Sequence, residues 1–227
     1  MLIILLIVLI LLLLIGPQLW AASILKRYST PRTDFPGNGA EFARHLIQQQ
    51  QLSFVSLEAT DRGDHYDPQA NMVRLSSANM TGCSLTAIVV AAHEIGHAMQ
   101  HAINYRPFFW RVKLVVLAQY AEKTGSMLML AIPVIGLLSR SALASGIVLL
   151  LGLMSMLTAV LVHLVTLPVE WNASFSRALP LLQQGEYLSA NDMRAARKIL
   201  LACALTYLAQ SLMSLISLWR WLRVLKR

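Results

Sequence analysis

Charge is what this 227-residue chain has least of. Only 13% of its residues are Asp, Glu, Lys or Arg, against roughly 25% in a typical soluble domain. With 56% hydrophobic residues and a mean hydropathy of +0.58, this points to lipid as part of the solvent. Negative charge is the scarcer sign, with 11 acidic residues against 19 basic and a formal net charge of +8. A nucleic-acid binder would interleave basic residues with aromatics on one surface. Here the basic residues flank apolar runs: Lys26 and Arg27; Arg194, Arg197 and Lys198; and Arg220, Arg223, Lys226 and Arg227. That is membrane-flanking charge, and no nucleic-acid partner is expected. Cysteine is almost absent. Cys83 and Cys203 make no CxxC pair and no disulfide framework, and both read as free buried thiols. No Lys or Arg precedes the apolar start, so residues 1–15 lack the charged n-region of a cleavable signal peptide.

What is present is strongly segregated. Apolar runs occupy residues 1–15, 125–138, 143–169 and 199–222, whereas 26–111 look like an ordinary soluble sequence. Residues 1–24 read as an N-terminal transmembrane helix, and 25–124 as a catalytic region. Residues 125–169 read as a transmembrane helical hairpin broken at Ser139-Arg140-Ser141, and 170–198 as polar amphipathic helix with a break at Gly185. Residues 199–227 read as a last apolar helix and basic tail. Within the catalytic region, 40–51 predicts a short amphipathic helix. The alternating segments 53–58 and 71–76 predict strands, paired as an antiparallel hairpin with a long loop of turn-forming residues. Ser84 is a fair N-cap for a helix over 84–104.

That helix carries His93-Glu94-Ile95-Gly96-His97, an HExxH pattern. Residues at i and i+4 project from one face of a helix, so two imidazoles there can bind one Zn²⁺. Glu94, beside the pair, is placed to take a proton from a zinc-activated water and so act as general base. Two histidines and a glutamate in an apolar helix are costly to bury without a partner, and a metal supplies one. Gly96 keeps one side of the helix slim.

A catalytic zinc site takes three protein ligands and keeps one position for water. His101 continues the four-residue series but cannot share an ion with His93, because eight residues of helix rise about 12 Å. It reads as an exposed residue or one that supports the ligands. Glu170 is the better third ligand, since a carboxylate just beyond a long apolar run is anomalous unless it faces protein or metal. An interfacial carboxylate is its bland alternative. His163 is another candidate inside the run, and Glu122, Glu186 and Asp192 lie in polar helix surface. If the runs are spans, the two crossings of the hairpin bring Glu170 back to the side of His93 and His97.

Three segments resemble the YugP-type neutral zinc metallopeptidases, a family of small bacterial membrane proteins. They are Asp64-His65-Tyr66-Asp67-Pro68 followed by Val73-Arg74-Leu75-Ser76, Ala91 through Gln100 around the motif, and Leu167-Pro168-Val169-Glu170-Trp171-Asn172-Ala173-Ser174 with Arg177-Ala178. This chain has Asn172 where the family tends to carry an acidic residue. The resemblance implies zinc, peptide hydrolysis and membrane residence. It implies His93, His97 and Glu170 as gluzincin-like ligands and Glu94 as the catalytic residue. By analogy with other membrane gluzincins, strand 71–76 could be an edge that pairs with an extended substrate. Arg177 or Tyr105 could stabilise an oxyanion. Asp64, His65 and Asp67 read as a hydrogen-bonded loop or a second polar site.

The expectation is a mainly α integral membrane protein, with about four apolar helices and a small α+β gluzincin-like zinc-peptidase region. It would be a zinc endopeptidase of the bacterial inner membrane, multi-pass, with its site on the cytoplasmic side. Its partners would be the lipid bilayer and peptide or unfolded protein substrates, in quality control or processing. A non-catalytic membrane scaffold, with a structural zinc or no metal, is the alternative.

Overall fold

The computed structural model describes residues 2–139 and 141–205. Side chains of residues 2–14 and of scattered positions between 122 and 165 fall outside that description. In chain order the described residues form α1 (Leu2–Arg27), α2 (Gly39–Gln49), β1 (Ser56–Thr60), β2 (His65–Asp67), β3 (Met72–Ser76), α3 (Ser77–Thr81), α4 (Leu85–Ala102), α5 (Arg106–Ser139) and α6 (Ala142–Trp171). A π-helix (Asn172–Ala178), α7 (Leu179–Gln184) and α8 (residues 190–205) follow.

The described residues divide into two units, one holding 2–17 and 110–167, the other 18–109 and 168–205. In the first, Ala118 and Val162 are buried against each other with Leu114 beside them, and the Ser155 hydroxyl donates to the Ala121 carbonyl. The second unit holds the core that matters for chemistry. Leu46 of α2, Val73 and Leu75 of β3, Leu85 and Ile95 of α4, Leu182 of α7, and Ile199 and Leu200 of α8 are all fully buried.

Local signals start the helices of this unit. The Asn38 side chain accepts from the Glu41 N–H, while the Glu41 carboxylate accepts from the Asn38 N–H. This capping box starts α2. Ser84 Oγ accepts from the Ala87 N–H at 3.2 Å and starts α4, as its sequence predicts.

The sheet departs from expectation. Its order is β1-β3-β2, with β1 parallel to β3 and β2 antiparallel to it. The predicted antiparallel hairpin of the first and last strands is therefore wrong. Residues 59–70, which the sequence reads as turn chemistry, contain β2. They carry the chain across to the far side of β3, the kind of crossover a parallel pair requires. Strand β3 is central and paired on both sides, so it is not the free edge expected for substrate pairing. The edges are β1 and β2.

The largest correction concerns the membrane. Among the described residues no helix is long and apolar enough to cross one. This overturns the reading of an integral membrane protein built on about four spanning helices. The apolar runs are parts of longer elements. Run 125–138 is the end of α5, which also carries Arg106, Arg111, Lys113, Glu122 and Lys123. Run 143–169 ends in the buried Val169, beside the buried Glu170. Residues 199–205 continue the polar 190–198 within α8 and bury Ile199, Leu200, Ala202 and Ala204. For 199–205 the physical reason is that a protein interior selects apolar side chains as lipid does, and hydropathy alone does not separate the two; in the other two runs Leu130, Val134, Leu143, Leu150 and Met154 are exposed. The rest of the last run, 206–222, and the basic tail lie outside the described residues. With no crossing to count, the multi-pass topology, and the inner-face placement drawn from it, are not carried forward.

Candidate metal centre

Helix α4 is buried along most of its length, from Leu85 to Ala98. That burial is why its polar residues need partners. His93 and His97 lie one turn apart with ring centroids 4.8 Å from each other. The C-terminal end of α6 brings a fully buried carboxylate to the same place. Glu170 Oε2 lies 3.4 Å from His93 Nε2 and 3.2 Å from His97 Nε2. Ligand atoms of His93, His97 and Glu170 all fall within 4.8 Å of one another, so the three could hold a metal ion. Glu94 is buried beside them on α4.

The approach of the two elements depends on Gly96. A Cβ at that position would meet the Ala173 carbonyl oxygen at 2.6 Å, so only glycine lets the π-helix lie this close to α4. The π-helix begins two residues after Glu170 and presents Ser174 and Asn172 to the same region. Wide turns of this kind recur at functional sites.

Hydrogen bonds orient the histidine rings. Ser174 Oγ donates its single hydrogen to the Leu200 carbonyl at 3.0 Å. Its 3.0 Å contact with His93 Nδ1 must therefore run the other way, with Nδ1–H donating to Oγ. A neutral His93 then carries its lone pair on Nε2, the atom that faces Glu170. His97 also has Nδ1 engaged, by Gln100 Oε1 at 3.0 Å, and its Nε2 faces the same oxygen. Without a cation, the two ring nitrogens and Oε2 can share a proton as a hydrogen bond or ion pair. A cation at the point of convergence would take that proton's place. Two imidazoles and one carboxylate are a donor set that suits zinc, and the residues fit the metal.

The comparisons with known proteins agree with this chemistry. A family model described as "Putative neutral zinc metallopeptidase" matches residues 2–226. The chain belongs to that family. It is 36% identical over 217 residues to "Putative membrane protease YugP" of Bacillus subtilis (strain 168), covering 92% of each chain. No solved structure matches.

Other candidates from the sequence fall elsewhere. His101 is half-buried. Its Nδ1 lies 2.8 Å from the Tyr66 hydroxyl and its ring packs against Phe54, Phe108 and Phe109. Burial holds its pKa below the usual histidine value and pushes Tyr66, beside the charge of Asp67, up to about 12. Asp64, His65 and Asp67 each make their own local hydrogen bonds. Asp64 accepts from the Ser76 N–H and hydroxyl and from the Asn79 amide. Asp67 accepts from the N–H groups of Gln69 and Ala70 and from Arg74, and His65 Nδ1 meets the Gly63 carbonyl. Asp192 pairs with Arg32 and Ser189. The side chains of Glu122 and His163 lie outside the described residues. Among the described residues no hydrogen bond ties Arg177 or the Tyr105 phenol to the cluster.

Both cysteines are free. Burial, followed by the charges of Glu94, Asp64 and Glu170, pushes the Cys203 thiol well above its usual value. It is not among the converging ligand groups. A cavity of about 520 Å³, lined by Phe35, Phe42, His45, Ile88, Glu186 and Tyr187 among others, lies away from the cluster. Ile88 precedes His93 by five residues, roughly 140° around the helix.

Sequence reasoning gave no role to Ser174 or Gln100, and noted Asn172 only as a departure from the family's pattern. Gln100 did carry a signal, as a polar residue three positions after His97 on an apolar helix, where side chains meet.

Proposed function

We propose that the protein is a zinc-dependent endopeptidase acting on peptides or unfolded protein segments at a membrane. His93, His97 and Glu170 are its metal ligands and Glu94 its general base. One observation carries the reading: two imidazole Nε2 atoms and a buried carboxylate oxygen converge beside Glu94, in a chain of a zinc-metallopeptidase family. The membrane enters through the printed name of the Bacillus relative and the apolar composition. A role in quality control or processing follows from that substrate class.

Bound zinc would polarise a substrate carbonyl and lower the pKa of water at the site. The chain's own residues do the rest. Ser174 and Gln100 hold the imidazoles with their Nε2 lone pairs turned inward. Glu94 takes the proton of the attacking water and returns it to the amine nitrogen that leaves. The described ligand group has three members, which leaves a position for water, as a catalytic site does and a closed structural site does not. That favours the enzyme over a scaffold braced by zinc. Glu94→Gln tests it: cleavage of an unfolded protein substrate is expected to stop while zinc is retained. Undiminished cleavage by the variant contradicts the assignment.

A further inference from the structure

Gln100 is fully buried on α4, and every polar atom of its side chain is used. Nε2 donates to the Val169 carbonyl and to Asn172 Oδ1, both at 2.9 Å. Those two acceptors flank Glu170 in the sequence. They consume both amide hydrogens, so the amide cannot be turned over without setting its oxygen against two other oxygens. Oε1 is thereby fixed toward His97, where it accepts from Nδ1–H at 3.0 Å. The consequence reaches the metal centre from two sides. One face of Gln100 sets the His97 tautomer, and the other clamps the segment that carries Glu170.

We infer that Gln100 is a positioning residue that couples the two, locking the His97 Nε2 lone pair inward and holding Glu170 opposite it. Asn172 acts in the same device. Its side-chain oxygen supplies one of the two acceptors that orient the Gln100 amide. The inference rests on the metallopeptidase reading for its purpose, but not for its geometry. Partners of this kind typically contribute roughly ten- to a hundredfold in metal affinity.

The test uses the full chain, wild type and Gln100→Met, with two measurements. Imidazole ¹⁵N NMR of metal-free protein reads the histidine tautomers, and chelator competition reads zinc affinity. In wild type, Nδ1 of both His93 and His97 is expected to carry a fixed proton, wherever the proton between Nε2 and Glu170 lies. In Gln100→Met, His97 should lose that fixed Nδ1 proton while His93, held by Ser174, keeps it. Zinc affinity should fall roughly ten- to a hundredfold. The His93 signal is the internal control that separates a local effect from general unfolding. A His97 signal and a zinc affinity both unchanged overturn the inference. If Gln100→Met does not fold, Gln100→Glu replaces it. The carboxylate still accepts from His97 Nδ1–H but cannot donate to Val169, so the tautomer should persist while zinc affinity falls. Wild-type affinity in that variant contradicts the clamp. Wild-type protein that binds no zinc, yet shows the expected tautomers, would sink the metallopeptidase reading and leave the coupling standing.

Discussion

Two clusters of carboxylate and imidazole lie in the same unit of the molecule, and they are built in opposite ways. Around β2 and β3, each carboxylate oxygen that receives a contact receives it from a donor: backbone N–H, hydroxyl, amide or guanidinium. Around α4, the ring Nδ1 atoms of His93 and His97 are engaged on the outside, and both Nε2 atoms converge on one carboxylate oxygen. Residue types are much the same in both. Convergence of three ligand atoms distinguishes the cluster that suits a cation from the structural one.

Breaking the α4 cluster should have the larger effects. Glu94→Gln is expected to lower cleavage roughly 10²–10⁴-fold, the usual range for a general acid–base group, with zinc per chain unchanged in metal analysis. Ser174→Ala removes the acceptor for His93 Nδ1–H. It should weaken zinc roughly ten- to a hundredfold by chelator competition, while the fold survives thermal unfolding. Gly96→Ala forces a Cβ against the Ala173 carbonyl and should cost about 1–3 kcal/mol in denaturant unfolding. Zinc binding should weaken with it as the π-helix is pushed away.

The β2–β3 cluster should respond in stability and not in metal. Asp64→Ala strands the Ser76 N–H and should cost about 1–3 kcal/mol, with zinc content as in wild type. Asp67 gives the smallest effect and a pH signature. Burial raises its pKa, but hydrogen bonds from Ala70, Arg74 and Gln69 outweigh that and leave it below the ordinary carboxylate value of 3.8. A depressed carboxylate stabilises the fold above its unfolded value, and the contribution is lost as pH falls through the folded one. Unfolding followed from pH 6 downward should show that loss below about pH 3.8, and Asp67→Asn should flatten it.

The sequence made the chemistry more legible than the architecture. The α4 helix, its Ser84 cap and the i, i+4 histidines follow from local rules, and those rules act within a few residues of the motif. Glu170 stood out because a carboxylate after an apolar run needs a reason. Its meeting with the histidines was argued through membrane crossings that the described helices do not supply. The structure brings it there by packing the π-helix against Gly96 instead. Strand β2 was hidden because Asp, Gly and Pro around it are turn formers, and three residues of pairing are decided by β3, not by propensity. The π-helix has no local sequence signal, since its wide turn is a response to what it packs on. The apolar residues 199–205 were misread because burial in protein and burial in lipid call for the same side chains.

The account stands most directly on the zinc content of purified protein, measured per chain in wild type beside Glu170→Ala. About one zinc in wild type and a large loss in the variant is the expected pair, as for a three-ligand site that loses its carboxylate. Zinc retained at the wild-type level in Glu170→Ala would contradict the assignment of the third ligand and the convergence on which the proposed function rests.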